Sequence, residues 1–159
     1  MTSTPVTRAL DALAILYTLH EHAGPVHSLE QAARERGLQP GQVVRSLVFR
    51  TESGSFVMLL IPGQGRASWP KLRQALGVSR VTTASRDELL RVTGYEPGAV
   101  SPFGLPQPLR LLADRGLLEH EMVSIGAGIR NAGVLLRSAD LIRALAPELG
   151  DFRDAAPVS

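Results

Sequence analysis

The chain has 159 residues, a mass of 17.1 kDa and 44% hydrophobic residues, which is enough for a single domain with a real core. It contains no cysteine, which excludes disulfides, thiolate metal sites and cysteine nucleophiles. The formal net charge is +2 and every basic residue except Lys71 is an arginine, a balance that permits nucleic acid as a partner without demanding it. The start of the chain shows no signal-peptide pattern, and its longest apolar run, 56–61, is too short to span a membrane, so a cytoplasmic location is the default expectation.

The first half of the chain predicts helices alternating with short strands. Thr4 followed by Pro5 is typical of a helix N-terminus, and this helix is expected to end near residue 15. Residues 17–22 alternate as a short strand, and Ser28 with Gln31 predicts a capping box that opens a helix ending at Gly37. The β-rich runs 43–51 and 55–61, separated by Glu-Ser-Gly, predict a hairpin.

The second half continues the mixture of helices and strands. A helix is predicted over 68–76, and Ser85 with Glu88 indicates a capping box for another that ends near residue 93. Strands are predicted at 109–113, 122–125 and 132–136, and Ser138 is expected to cap a helix over 139–145. A short strand is expected beyond Asp151, before a flexible tail over about 154–159. Together these elements predict one α/β domain over 1–159 with a mixed sheet.

Two local patterns have both structural and functional interpretations. His20 and His22 would share one face of a strand as metal ligands do, but no second cluster completes a ligand set, so surface or hydrogen-bonded histidines are favoured. Gly126 and Gly128 begin like a dinucleotide fingerprint, yet Asn131 replaces the third glycine and a strand follows, which argues against a Rossmann site. A tight turn between strands and a ligand loop both remain open for this segment.

Two arginines are candidate ligand contacts. Arg45 lies in an apolar strand, where its period-two neighbours Val43 and Leu47 share its face, so it must reach a partner, a cleft or solvent. A snorkelling or salt-bridged arginine is the alternative. Arg130 extends from the glycine turn as a possible phosphate or carboxylate contact.

The segment 93–104, Thr-Gly-Tyr-Glu-Pro-Gly-Ala-Val-Ser-Pro-Phe-Gly, is rich in residues that fix backbone direction. Such a segment can present main-chain N–H and C=O groups to a small polar ligand, although an ordinary connection is the simpler interpretation of its composition. The chain carries no nucleophile–base, P-loop or zinc-protease signature. Any hydrolysis would therefore use water, with positioning and backbone electrostatics as the catalytic means.

These segments resemble the YbaK/prolyl-tRNA synthetase-associated family of aminoacyl-tRNA deacylases. The stretch from Gly98 to Pro102 is similar to the family's G-x-x-x-P loop and follows its usual Thr-Gly-Tyr lead-in, with support from the strand 47–49, the Gly128-x-Arg130 turn and the helix start at 138–141. The resemblance implies a mixed, partly barrel-like α/β fold, hydrolysis in trans of a mischarged tRNA ester, and no metal or organic cofactor. It also implies the aminoacylated 3′ end of tRNA as partner, with an aminoacyl-tRNA synthetase as a second candidate partner.

The same resemblance suggests site residues. It places catalysis at Arg45, Gly98, Ala99 and Pro102, with Arg45 standing where the family has a lysine and Ala99 where it has a second glycine. Ala99 would be strained if that position needs a positive φ. Residues predicted to bind the substrate are Tyr17, Val48, Met58, Phe103, Gly128 and Arg130.

Other functions remain to be weighed against editing. The arginine at position 45 favours a module that binds tRNA ends or aminoacyl-nucleotide-like ligands without turnover. A DNA-binding role is weaker, because no helix-turn-helix or basic recognition helix is evident.

Overall fold

The computed structural model describes residues 2–154 and contains, within them, five α-helices and eight β-strands. The helices, in chain order α1 to α5, are Pro5–Ala12, Leu29–Arg36, Trp69–Leu76, Arg86–Thr93 and Ser138–Leu145. The strands, in chain order β1 to β8, are Tyr17–Glu21, Val44–Thr51, Phe56–Pro62, Val81–Thr83, Arg110–Asp114, Met122–Gly126, Ala132–Arg137 and Glu148–Gly150.

The strands form two sheets. The larger has the order β4-β2-β3-β5-β8, with antiparallel pairing around the predicted β2–β3 hairpin and parallel pairing of β3 with β5 and of β5 with β8. The smaller is antiparallel, in the order β1-β7-β6. The predicted α/β class with a mixed sheet is confirmed.

Two hydrophobic clusters hold these layers together. The larger lies between the sheets and joins residues such as Met58 and Leu60 of β3 to Val134 and Leu136 of β7. The smaller lies on the other face of the five-stranded sheet, where Leu72 of α3 packs. The side chains of successive β3 residues therefore pack into opposite clusters, as their alternation along a strand requires. This strand is buried almost throughout.

Local capping signals set the helix boundaries. A serine hydroxyl accepts a main-chain N–H at the start of three helices, and a glycine in the left-handed region ends the same three. These caps are Ser28 and Gly37, Ser68 and Gly77, and Ser85 and Gly94. The capping box between Ser85 and Glu88 forms as predicted. At α2 only half of the predicted box forms, because the Gln31 side chain accepts the N–H of His27 instead of that of Ser28.

Two predicted helix ends differ from the structure. The first helix ends at Ala12 rather than near residue 15, because Ala14 lies in the left-handed region with φ = 56°. Ser138 is the first residue of α5 rather than its cap, and Arg137 takes the cap position. The Ser138 hydroxyl donates instead to the carbonyl of His120 at 2.6 Å and so links α5 to the end of a 3-10 helix over Arg115–Glu119.

The strand ends at the C-terminus also differ. The strand expected beyond Asp151 lies before it, as β8, and Arg153 makes only an isolated bridge to Ala67. β4 has just three residues and was not predicted from the sequence. Residues 155–159 of the predicted flexible tail lie outside the described residues.

Candidate functional site

The site begins with an interruption along one edge of β2. On one side β2 pairs with β3 along its length, but on the other it pairs with β4 only over residues 49–51. At the start of the strand, Val43 makes a parallel bridge to Ser124 of β6. The two neighbours diverge between these points and leave residues 45–47 of β2 without a partner strand on this side, a stretch called the open edge below.

A cavity of about 640 Å³ lies along this open edge. Its lining comes from β2, from the β6–β7 sheet, from the loop 97–100 and from the region before and within α3. The lining residues are Arg36, Val43, Val44, Arg45, Ser46, Leu47, Val48, Phe49, Arg66, Ala67, Trp69, Thr83, Ala84, Leu89, Pro97, Gly98, Val100, Ile125, Gly126, Ala132 and Asp154.

The loop that faces the open edge depends on one left-handed glycine. Gly98 has φ = 87°, and a side chain there would meet no atom within 4 Å, so the need for glycine comes from the backbone and not from crowding. Ala99 is outside the left-handed region, and the strain expected at this position is absent. Its amide donates to the carbonyl of Glu96 at 3.0 Å, and its carbonyl accepts the N–H of Gly128 at 3.0 Å. Ala99 is thus bonded inside the protein by both of its main-chain groups.

The rest of the loop is anchored in the core. The Tyr95 hydroxyl donates to the carbonyl of Phe103 at 2.6 Å, and burial raises the pKa of Tyr95 to about 12. The N–H of Phe103 donates to the hydroxyl of Ser101 at 3.1 Å, and Pro102 between them is buried. These residues fix the loop from its core side and do not line the cavity.

The loop also touches β6 directly. A Cβ built on Gly126 would collide with the carbonyl of Val100, so the loop backbone rests on the strand where glycine leaves room. Both residues line the cavity, and their contact therefore sets its width at this end.

Arg45 is used to hold the wall of the cavity. Its Nε donates to the carbonyl of Gly63 at 2.9 Å, and its Nη2 donates to the carbonyl of Gly65. Burial lowers the pKa of Arg45. The predicted polar partner of this strand arginine is thus the turn after β3, which the guanidinium fork fixes beside the cavity.

A second partly buried arginine, Arg36 at the end of α2, bonds to three other parts of the fold. Its Nε donates to Nε2 of His22 at 3.0 Å, its Nη1 to the hydroxyl of Ser124 at 2.8 Å, and its Nη2 to the carbonyl of Ala132 at 3.2 Å. The other ring nitrogen of His22 is 2.8 Å from Glu35, so Nδ1 carries the hydrogen in this arrangement. Burial lowers the pKa of Arg36. The hydrogen-bonded interpretation of the histidine pair is confirmed for His22.

The structure brings only some of the predicted site residues to the cavity. Arg45, Val48 and Gly98 line it. The others lie elsewhere: Tyr17, Met58, Ala99, Pro102, Phe103, Gly128 and Arg130. Met58 is fully buried in the core between the sheets, and Arg130 is an exposed side chain 3.7 Å from the carboxylate of Glu96. Their proposed roles in binding and catalysis stay predictions.

Most of the cavity residues, among them Arg36, Ser46 and Trp69, were not predicted from the sequence. Arg36 resembles an ordinary basic residue in the last turn of a helix, and Ser46 an ordinary strand residue. Trp69 carried a signal, because it is the only tryptophan and directly follows the helix cap Ser68. Its ring packs edge-on against that of Phe49, with 5.1 Å between the ring centroids, and the residue is 38% exposed.

The described residues show neither a metal cluster nor a membrane span. Over residues 2–154, no group of three or more histidine, aspartate or glutamate side chains is placed to hold a metal ion. None of the helices in this part of the chain has the length and apolar character needed to cross a bilayer. The turn after β6 leads into β7 and not into a helix, as predicted, which argues against a dinucleotide site of the Rossmann type.

Comparison with known proteins agrees with this fold. The chain is 30% identical over 141 residues to the multifunctional Ser/Thr-tRNA deacylase ProXp-y of Escherichia coli K12, an alignment that covers 86% of this chain and 83% of that protein. It is 34% identical over 106 residues to the proline–tRNA ligase of Trichlorobacter lovleyi, covering 67% of this chain but only 18% of the ligase. A solved structure named as a "putative trans-editing enzyme for prolyl tRNA synthetase" superimposes with a TM-score of 0.85 at 25% identity, covering 98% of this chain and all of that one.

The fold and cavity define a small α/β domain with a ligand cavity bordered by main-chain groups. The family model for the aminoacyl-tRNA editing domain matches residues 23–144, and the chain belongs to this family. The resemblance drawn from the segment 93–104 is therefore confirmed, together with the deacylase class that it implied.

Proposed function

We propose that the protein hydrolyses, in trans, the ester that joins a wrong amino acid to the 3′ end of a tRNA. The observation that carries this proposal is the cavity of about 640 Å³ between the open edge of β2 and the loop that contains Gly98. Its size is within the range of small-molecule sites and suits an aminoacyl-adenosine group. Its walls combine apolar side chains with a few polar groups, as such sites require.

Water is the proposed nucleophile. Among the described residues, no histidine or cysteine lines the cavity, and the hydroxyl of its one serine, Ser46, has no hydrogen-bond partner. Water adds to the ester carbonyl carbon, the bond from that carbon to the ribose oxygen breaks, and the ribose oxygen takes up the proton. The products are the free amino acid and the uncharged tRNA.

Loop amides are the proposed stabilisers of the oxyanion. Gly98 and Val100 line the cavity, and within residues 2–154 no hydrogen bond uses the amide N–H of either residue. Main-chain donors of this kind act without reorganisation as charge develops, and one such donor is typically worth about 10²–10³ in rate. The amide of Ala99 is excluded from this role, because it already donates to Glu96.

The outer end of the cavity is proposed to hold the terminal nucleotide. Trp69 presents a partly exposed ring there, and stacking of a base on an aromatic ring contributes about 1–3 kcal/mol. The exposed Arg66 lines the same cavity and is suited to contact phosphate. Binding of the tRNA end therefore combines one stacking platform with one cation.

Seryl and threonyl groups are the first amino acids to test, because a relative of similar length is named as a Ser/Thr-tRNA deacylase. The experiment measures release of amino acid from a panel of Ser-, Thr-, Ala- and Cys-charged tRNAs. At least one ester is expected to be cleaved well above its spontaneous rate. Absence of turnover across the panel would contradict the proposal.

Substitution of a second left-handed glycine, Gly54, is the matched control for substitution of Gly98. Gly98→Val is expected to slow the reaction by at least about 10²-fold, because the left-handed backbone that aims the loop amides is lost. Gly54→Val makes the same change at φ = 86° in the β2–β3 turn, away from the cavity, and is expected to retain activity when folded. Equal losses in the two variants would show that the Gly98 effect is only a stability effect.

A binding module without turnover is the second candidate. It is favoured by Arg45, because the guanidinium group donates to two main-chain carbonyls of the protein and does not point to a reacting group. Binding of a non-hydrolysable aminoacyl-adenosine analogue, together with no cleavage of any ester in the panel, would support this alternative over the deacylase.

A further inference from the structure

The open edge of β2 exposes unused main-chain hydrogen-bonding groups to the cavity. The direction of these groups follows from two hydrogen bonds at other points of the strand. The carbonyl of Val43 accepts the N–H of Gly63, which follows β3. The main-chain N–H and C=O groups of the odd-numbered residues of β2 therefore point toward β3. The carbonyl of Val48 accepts the N–H of Ala84, which follows β4. The main-chain N–H and C=O groups of the even-numbered residues therefore point toward the opposite edge of β2. The N–H and C=O of Ser46 therefore point into the open edge.

No irregularity of the strand changes this direction. The register of β2 with β3 is continuous from Val44 opposite Pro62 to Arg50 opposite Phe56, which excludes a bulge in between. On this edge the described residues pair with β2 only at residues 49–51, through β4, and at Val43, through its isolated bridge to Ser124, so no strand pairs with Ser46 there. Ser46 lines the cavity and is partly exposed.

The hydroxyl of Ser46 is not exposed to the cavity. The Oγ atom is fully buried and has no hydrogen-bond partner within the described part of the chain. Alternation along the strand directs this side chain, with those of Val44 and Val48, into the core between the sheets. A ligand in the cavity accordingly meets one free donor and one free acceptor from the same residue.

We propose that the main-chain N–H and C=O of Ser46 bind the aminoacyl group of the substrate, an inference that rests on the proposed function. The α-ammonium group donates to the Ser46 carbonyl, and the Ser46 N–H donates to an oxygen of the acyl group. The aminoacyl group then lies as a short added strand segment between the open edge and the loop at Gly98. Main-chain contacts of this kind accept any L-amino acid, so selection among amino acids is left to the side chains around the cavity.

Proline at position 46 tests the donor directly. Ser46→Pro removes the N–H that points to the open edge, and proline is tolerated there because no bond of the sheet is lost. The comparison variant is Ser46→Ala, which keeps the N–H and removes only the unpartnered hydroxyl. The probe is the 3′-seryl-amide analogue of 3′-deoxyadenosine, which cannot be hydrolysed, and its dissociation constant is measured by calorimetry.

The proposal predicts that Ser46→Pro binds the analogue about 5- to 10-fold more weakly than Ser46→Ala does, the loss expected for one hydrogen bond. Glu21→Pro controls for proline in an edge strand, because residue 21 ends β1 at the outer edge of the other sheet. Equal affinities of Ser46→Pro and Ser46→Ala would overturn the proposal. A failure of the wild-type protein to bind the analogue would overturn it too.

A measurement on the wild-type protein keeps the test valid if Ser46→Pro does not fold. Amide hydrogen exchange at Ser46 is expected to slow when the analogue is added, and an unchanged rate with the analogue bound would contradict the proposal. The deacylation panel remains a separate test. Analogue binding with a protected Ser46 amide but no turnover would remove the deacylase proposal and leave this inference standing.

Discussion

Arg45 shows how the role of one residue depends on its hydrogen-bond partners. The strand position of this arginine predicted a polar partner, and the partners are the carbonyls of Gly63 and Gly65. A guanidinium can reach both with two donors held in one plane, whereas an ammonium group is a single point donor on a flexible stem. The turn after β3 is thus fitted to an arginine, although the family resemblance places a lysine at this position.

Exchange of this arginine for lysine is the first prediction. Arg45→Lys is expected to lower the free energy of unfolding by about 1.5–3 kcal/mol, because at least one charge-assisted hydrogen bond to the turn is lost. Urea unfolding measures this change, and amide exchange over residues 63–66 is expected to rise with it. Stability equal to wild type, together with altered deacylation, would instead place the side chain in contact with the substrate.

At the loop, the sequence predicted the backbone at Gly98 better than the backbone at Ala99. Gly98 was identified correctly as a special backbone position, because glycine between turn-forming residues is a local signal. The concern about Ala99 failed, since the left-handed residue is Gly98 alone of the two. The partners of Arg45 and Arg36 were not predictable, because they come from turns and strands that are distant in sequence.

At the scale of elements, capping residues made most boundaries predictable. Ser85 and Gly94 fix both ends of α4 through bonds to neighbours within four residues. β4 could not be found this way, because a strand of three residues has too little alternation to distinguish it from a loop. The open edge of β2 could not be predicted from the sequence either, because it depends on where β4 stops pairing with β2 and on where β6 diverges from it.

The contact between the loop and β6 gives the second prediction. Gly126→Ala places a methyl group against the carbonyl of Val100, and a backbone carbonyl cannot move aside as a side-chain end can. The expected result is a loss of about 1–3 kcal/mol in unfolding free energy and weaker deacylation, because the loop shifts away from the open edge. Thermal unfolding and the initial rate of ester cleavage measure the two effects.

Gly24→Ala is the matched control for this substitution. A Cβ at Gly24 meets nothing within 4 Å, and its φ is outside the left-handed region. Stability and activity are expected to remain close to wild type in this variant. Wild-type activity in Gly126→Ala would show that the position of the loop is not set by its contact with β6.

At the scale of the whole molecule, the strands that form the cavity also connect the two sheets. β2 pairs with β3 in the larger sheet and touches β6 of the smaller one at the bridge between Val43 and Ser124. The side chains of β3 alternate between the two hydrophobic clusters. The cavity therefore exists only while both sheets are in place, which supports the prediction of a single domain.

The third prediction follows from this shared framework. Leu72 lies in the cluster beneath α3 and Leu136 in the cluster between the sheets, and both are fully buried. Leu72→Ala and Leu136→Ala are each expected to lower the unfolding free energy by about 2–5 kcal/mol, the usual cost of a buried cavity. Because β3 belongs to both clusters, each variant is expected to shift one common transition, seen at the same urea concentration by Trp69 fluorescence and by far-ultraviolet circular dichroism. A transition that separates by probe in either variant would show that the two clusters unfold independently, and the protein would then consist of two cooperative units that meet at the cavity.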